Sequence, residues 1–79
     1  MITSGKRVYL SDRDVEQISI YCDVSEDTIH SLKTREQLLE FLLYYYHDES
    51  AESEMALLRR IFIPKILQQL GVSADFYEN

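Results

Sequence analysis

Helix-start signals recur along this chain at short intervals, and no other feature constrains its fold as strongly. Ser11-Asp12-Arg13-Asp14, Ser25-Glu26-Asp27 and Thr34-Arg35-Glu36-Gln37 each set a hydroxyl residue ahead of a first turn rich in acid or amide. The hydroxyl accepts from a backbone N–H that has no partner inside the helix. An acid or amide at the third position can reach back to the cap residue's own N–H. A further start falls near Ser50 or Ser53, and Gly71 followed by Val72 reads as a left-handed stop. Cut at these points, 79 residues become a series of short helices in one domain. The expected fold is all-α, a small bundle of four or five short helices. Residues 1–10 read as an N-terminal arm, 11–72 as a single helical domain and 73–79 as a C-terminal tail. Val8-Tyr9-Leu10 has the composition of a strand, but with no evident partner strand an extended arm is preferred.

Apolar spacing supports the cuts. Val15, Ile18, Ser19 and Cys22 fall at i, i+3, i+4 and i+7, one face of a first helix. Ile29 and Leu32 give the second helix a short inward face. In the third, Leu38, Leu42 and Tyr45 lie on one line, flanked by Phe41 on one side and by Leu39, Leu43 and Tyr46 on the other. That arc is wider than one packing stripe needs. Tyr44 falls opposite it, among Gln37, Glu40, His47 and Asp48. The fourth helix carries Met55, Leu57, Leu58, Ile61 and Phe62 and then meets Pro64. Proline removes a helical hydrogen bond and crowds the turn before it. The helix is expected to kink there, or to end and restart with Pro64 in the first turn of a fifth.

The run Ile18-Ser19-Ile20-Tyr21-Cys22-Asp23-Val24-Ser25-Glu26-Asp27-Thr28-Ile29, with Leu32 beyond it, resembles the helix-turn-helix of small bacterial repressors. In that motif apolar positions pack two helices across a short turn, a small residue allows close approach, and a serine caps the second helix. Ser19 stands where alanine is usual and Asp23 where glycine is usual. Aspartate tolerates the left-handed conformation better than most residues. The resemblance implies DNA binding, with residues 26–33 entering the major groove of a duplex and a dimer held by helices three and four. Its candidate contacts are Lys6, Arg7, Arg13, His30, Ser31, Lys33 and Arg35. Chemistry pulls the other way at Glu26 and Asp27, which begin the recognition helix and repel phosphate.

Charge patterning points elsewhere. The chain has 14 acidic and 8 basic residues, a net of -6, which disfavours nonspecific binding to nucleic acid or anionic lipid. Residues 36–54 hold six acids and no lysine or arginine. Tyr44-Tyr45-Tyr46 lies inside that stretch, and tyrosine is enriched at the energetic centres of interfaces. An acidic-aromatic face of Glu40, Tyr44, Asp48, Glu49 and Glu52 suits a basic, arginine-bearing protein. Leu57, Ile61 and Ile63 are surplus apolar surface on helix four, expected to serve a homodimer. A mimic of nucleic acid is a further reading, and only 36–54 offers the carboxylates for it.

Other chemistries find little support. His30, His47 and Cys22 lack metal-ligand spacing, and Asp48, Glu49 and Glu52 lack the glycine and ligand alternation of a calcium loop. Gly5 and Gly71 are the only glycines, so no phosphate-cradling loop is expected, and neither are cofactor or catalysis. Cys22, flanked by Ile18 and Ile20, reads as a buried thiol, and one cysteine suits the reducing cytoplasm. Met1 to Lys6 lacks the apolar segment of a signal peptide. The apolar run Leu38 to Tyr46 is too short to cross a membrane. The sequence reading is thus a small acidic regulatory or adaptor protein of the cytoplasm.

Overall fold

The computed structural model describes residues 2–48 and 54–77. Two strands, β1 (Ile2–Ser4) and β2 (Arg7–Tyr9), precede five helices: α1 (Asp12–Cys22), α2 (Glu26–His30), α3 (Arg35–Tyr46), α4 (Glu54–Gln69) and α5 (Ala74–Tyr77). The fold is predominantly helical, as expected. The start of helix four expected at Ser50 or Ser53 lies outside the described residues.

The caps form where the sequence places them. Ser11 with Asp14 and Thr34 with Gln37 make reciprocal capping boxes, and Ser25 accepts from the N–H of Thr28. Asp23 adopts the left-handed conformation at φ 54° and ψ 50°. The Val24 N–H donates to the Ser19 carbonyl across the end of α1, and the Ser19 hydroxyl donates to the Val24 carbonyl. The hydroxyl at Ser19 therefore clasps the turn that follows it. At the end of α4, Val72 N–H donates to Leu67 and Gly71 N–H to Gln68, with Gly71 at φ 80°. This pair of bonds is the Schellman stop.

The arm expected at residues 1–10 is instead a hairpin. Ile2 pairs with Tyr9, Thr3 with Val8 and Ser4 with Arg7. Gly5 has φ 60° and Lys6 does not share the positive φ, the arrangement of a two-residue II′ turn, which needs glycine first. The missing partner strand was the three residues before that turn. A second pairing extends the ladder. Val8 N–H donates to the Lys33 carbonyl and Arg35 N–H to the Lys6 carbonyl, on either side of the bridge between Arg7 and Thr34. Thr34 thus caps α3 and anchors the hairpin to it, while Val8 turns into the core.

Val15, Ile18 and Cys22 from α1, Ile29 from α2, Leu38 and Leu42 from α3, and Ile63, Ile66, Leu67 and Leu70 of α4 and its end make that core. The helix runs through Pro64 without ending, and the fifth helix is α5, beyond Gly71. Its buried stripe is Ala56, Arg59, Ile63, Ile66 and Leu67. Ile63, expected on a self-association surface, is fully buried. It sits on the stripe that faces α1 and α3, so it belongs to the core. The tail expected at 73–79 holds the short α5, with Phe76 mostly exposed.

Candidate functional site

The acidic-aromatic face is built on α3 and the turn that ends it. Glu40, Tyr44 and Asp48 recur every four residues, so a helix aligns them on one side. They surround, with Leu43 and His47, a shallow depression of about 490 Å³. Tyr44 is 71% exposed, and that exposure makes it the most available aromatic of the face. Glu49 and Glu52, the remaining members of the expected set, lie outside the described residues.

Tyr44 does not stand alone. Its ring meets that of Tyr45 edge-on at 5.1 Å, and Phe41 supports Tyr45 at 4.9 Å. Beneath them, the Arg59 guanidinium carbon lies 5.6 Å from the centre of the Tyr45 ring, a cation–π distance. Arg59 is only 8% exposed and its Nε donates to the Tyr21 carbonyl at 2.9 Å. The last turn of α1 has no basic residue of its own. A cation from α4 thus meets a carbonyl that the helix end leaves without an intrahelical donor. Burial pushes the Cys22 thiol up to about 11, although Arg59 opposes the rise. Burial also raises the Tyr45 hydroxyl, with Cys22, Tyr44 and Asp48 adding to it and Arg59 opposing. Both groups stay protonated at neutral pH, so neither places a negative charge beside the Arg59 guanidinium.

Sequence reasoning missed Arg59. A signal existed: it falls three residues after Ala56 and four before Ile63, on the buried stripe of α4. It also missed Leu43 as a wall of the depression, having placed it only on the flank of the apolar arc.

The residues expected to contact DNA do not form one surface. Arg7, His30 and Lys33 line a groove of about 340 Å³ beside the hairpin, with Tyr9 and Leu10. Lys6 is exposed at the hairpin turn next to Arg7. Arg13 lies in a different depression between α1 and α4, with Glu16, Ile20, Met55 and Leu58. Arg35 points away from both. Its Nε and Nη2 donate to the Leu70 carbonyl at 3.0 and 2.8 Å, closing the end of α4 as Arg59 closes α1. The Ser31 hydroxyl donates back to the Thr28 carbonyl. The second helix, expected over 26–33, stops at His30, because Lys33 and Thr34 are drawn into pairing with β2. Glu26 and Asp27 are exposed in its first turn.

Among the described residues no three His, Cys, Asp or Glu side chains gather as a metal site. No described helix is long and apolar enough to cross a membrane. Comparison of the chain with family models, with curated proteins and with solved structures finds no match.

Proposed function

We propose that this chain is a small regulatory or adaptor protein of the cytoplasm that works by binding another protein, without catalysis. The observation that carries the reading is the projection of Tyr44 from α3. It stands between Glu40 and Asp48 and is braced from below by Tyr45 over the buried Arg59. A braced aromatic loses little side-chain freedom on binding, and carboxylates on both sides favour an arginine stacked on its ring. The single cysteine, Cys22, has no partner in the chain for a disulfide, which is compatible with a reducing compartment. Capture of basic proteins by the native chain, compared with Tyr44→Ala and with Glu40→Lys/Asp48→Lys, tests it. Loss of the captured protein with both variants supports the face. Undiminished capture by both would show that the partner binds elsewhere.

A second reading, DNA binding, is favoured by two observations. One is the left-handed turn at Asp23 between α1 and α2, and the other is the grouping of Arg7, His30 and Lys33 around one groove. The net charge of -6 and the two acids at the start of α2 oppose it. Fluorescence anisotropy against random duplex DNA, from low to physiological salt, decides. Binding that falls steeply with salt signals phosphate contacts.

A further inference from the structure

The outer side of α4 has an order that the α3 face lacks. Glu54, Leu57, Leu58, Ile61 and Lys65 are all exposed, and at 100° per residue they fall within one stripe. Leu57 and Ile61 are 63% and 60% exposed, values unusual for aliphatics in the middle of a helix whose other side is core. Ile20 of α1, half-exposed, widens the patch beside Leu58. The stripe therefore reads acid, aliphatic cluster, base along the helix axis.

That order is self-complementary in one arrangement. Glu54 and Lys65 are 11 residues apart, about 16 Å along the axis, and they are equidistant from the midpoint between Arg59 and Arg60. So are Leu58 and Ile61. A two-fold axis through that midpoint, perpendicular to the helix, lays a second copy antiparallel. Glu54 then faces Lys65 of the second copy at both ends, and Leu58 packs beside its Ile61 in the middle. Parallel pairing would set Glu54 against Glu54 and Lys65 against Lys65. Two-fold interfaces use the same patch on both copies, and flanking charges choose orientation in paired helices.

We propose that the chain forms an antiparallel homodimer through the outer face of α4, with two reciprocal Glu54–Lys65 pairs closing an aliphatic centre. The occupant of this face is a second copy. The proposal is independent of the α3 face, which lies on another helix, so Tyr44→Ala leaves the dimer intact.

Sedimentation equilibrium with charge exchange tests it. Glu54→Lys and Lys65→Glu each turn both end pairs repulsive and weaken dimerisation roughly tenfold. An equimolar mixture of the two variants regains association as a heterodimer, since each end again pairs opposite charges. The double exchange E54K/K65E regains it as a homodimer. Ile61→Asp removes association, while circular dichroism shows the fold retained. A native chain that stays monomeric at every concentration overturns the proposal and leaves the face to a different protein. A dimer indifferent to both single exchanges overturns it as well, because its contact then lies elsewhere.

Discussion

The exposed faces of α3 and α4 differ in what they can meet. On α3 the charges around Tyr44 are carboxylates, Glu40 and Asp48. Two copies brought together there would repel, so the face suits the basic partner proposed for it. On α4 the charges at the two ends of the aliphatic cluster are opposite, Glu54 and Lys65, and an inverted copy satisfies both. The arrangement of charge, rather than the amount of apolar surface, thus separates a surface suited to another protein from one suited to itself. The two faces also share a foundation. Arg59 projects inward from α4, and its guanidinium lies under Tyr45 of α3.

The largest effect expected separates the inner from the outer side of α4. Ile63→Ala empties a fully buried site and should lower stability by about 3–4 kcal/mol. Ile61→Ala, two residues away and mostly exposed, should change monomer stability by no more than about 0.5 kcal/mol while weakening self-association. Chemical denaturation at low protein concentration checks both. Equal losses would erase the distinction between the two sides.

Next comes the shared foundation. Arg59→Ala deprives the Tyr21 carbonyl of its donor and removes the cation below Tyr45, a loss of about 2–3 kcal/mol. Arg59→Met keeps much of the packing and should cost less. If Arg59 braces the α3 face, near-ultraviolet circular dichroism of the tyrosines should change in both variants, and partner binding should weaken before the fold is lost.

A smaller effect is expected with pH. The Cys22 thiol is raised from 9.0 to about 11 in the folded chain. A raised acid means that the folded state holds its proton where the unfolded state has released it. Stability from this group is therefore complete below pH 9 and falls as pH rises toward 11, by about 2 kcal/mol. Tyr45, also raised, acts in the same direction at higher pH. Cys22→Ala should flatten the fall between pH 9 and 11. A native-state thiol that reacts with a maleimide at pH 8 as fast as in the unfolded chain would contradict its burial.

The smallest effect on stability should come from the residue that matters most for the proposed binding. Tyr44→Ala should change stability by about 0.5 kcal/mol or less, measured by thermal unfolding, since most of the ring faces solvent. A much larger loss would mean that Tyr44 supports the fold, and its projection would no longer speak for a partner.

Legibility from sequence followed the range of the interactions. Ser11, Ser25 and Thr34 bond to N–H groups three residues away, so their roles could be read from neighbours alone. The same holds for the left-handed residues Asp23 and Gly71. The α3 face was largely legible, because Glu40, Tyr44 and Asp48 share a helix side by spacing. The hairpin was missed although Gly5-Lys6 is a proper turn for it. Three-residue strands carry little periodicity, and the bridge to Thr34 joins segments that are far apart in the chain. Ile63 was placed outward because α4 is apolar on nearly every side, which leaves no dominant direction for its core. Arg35 was read as a phosphate ligand because nothing local shows that Leu70 needs it.

By itself, then, the sequence determined where α1, α2 and α3 begin and where α1 and α4 stop, since those caps and turns are settled within a few residues. It also determined that Tyr44 would point away from the apolar arc of α3. Tertiary structure decided which side of α4 is core. It also decided that Arg59 is buried and that Arg35 and Arg59 each close the end of another helix. Those choices depend on residues 35 and 38 positions apart. Only packing brings such groups close enough for a buried cation to find a carbonyl, and burial without that carbonyl would be unfavourable.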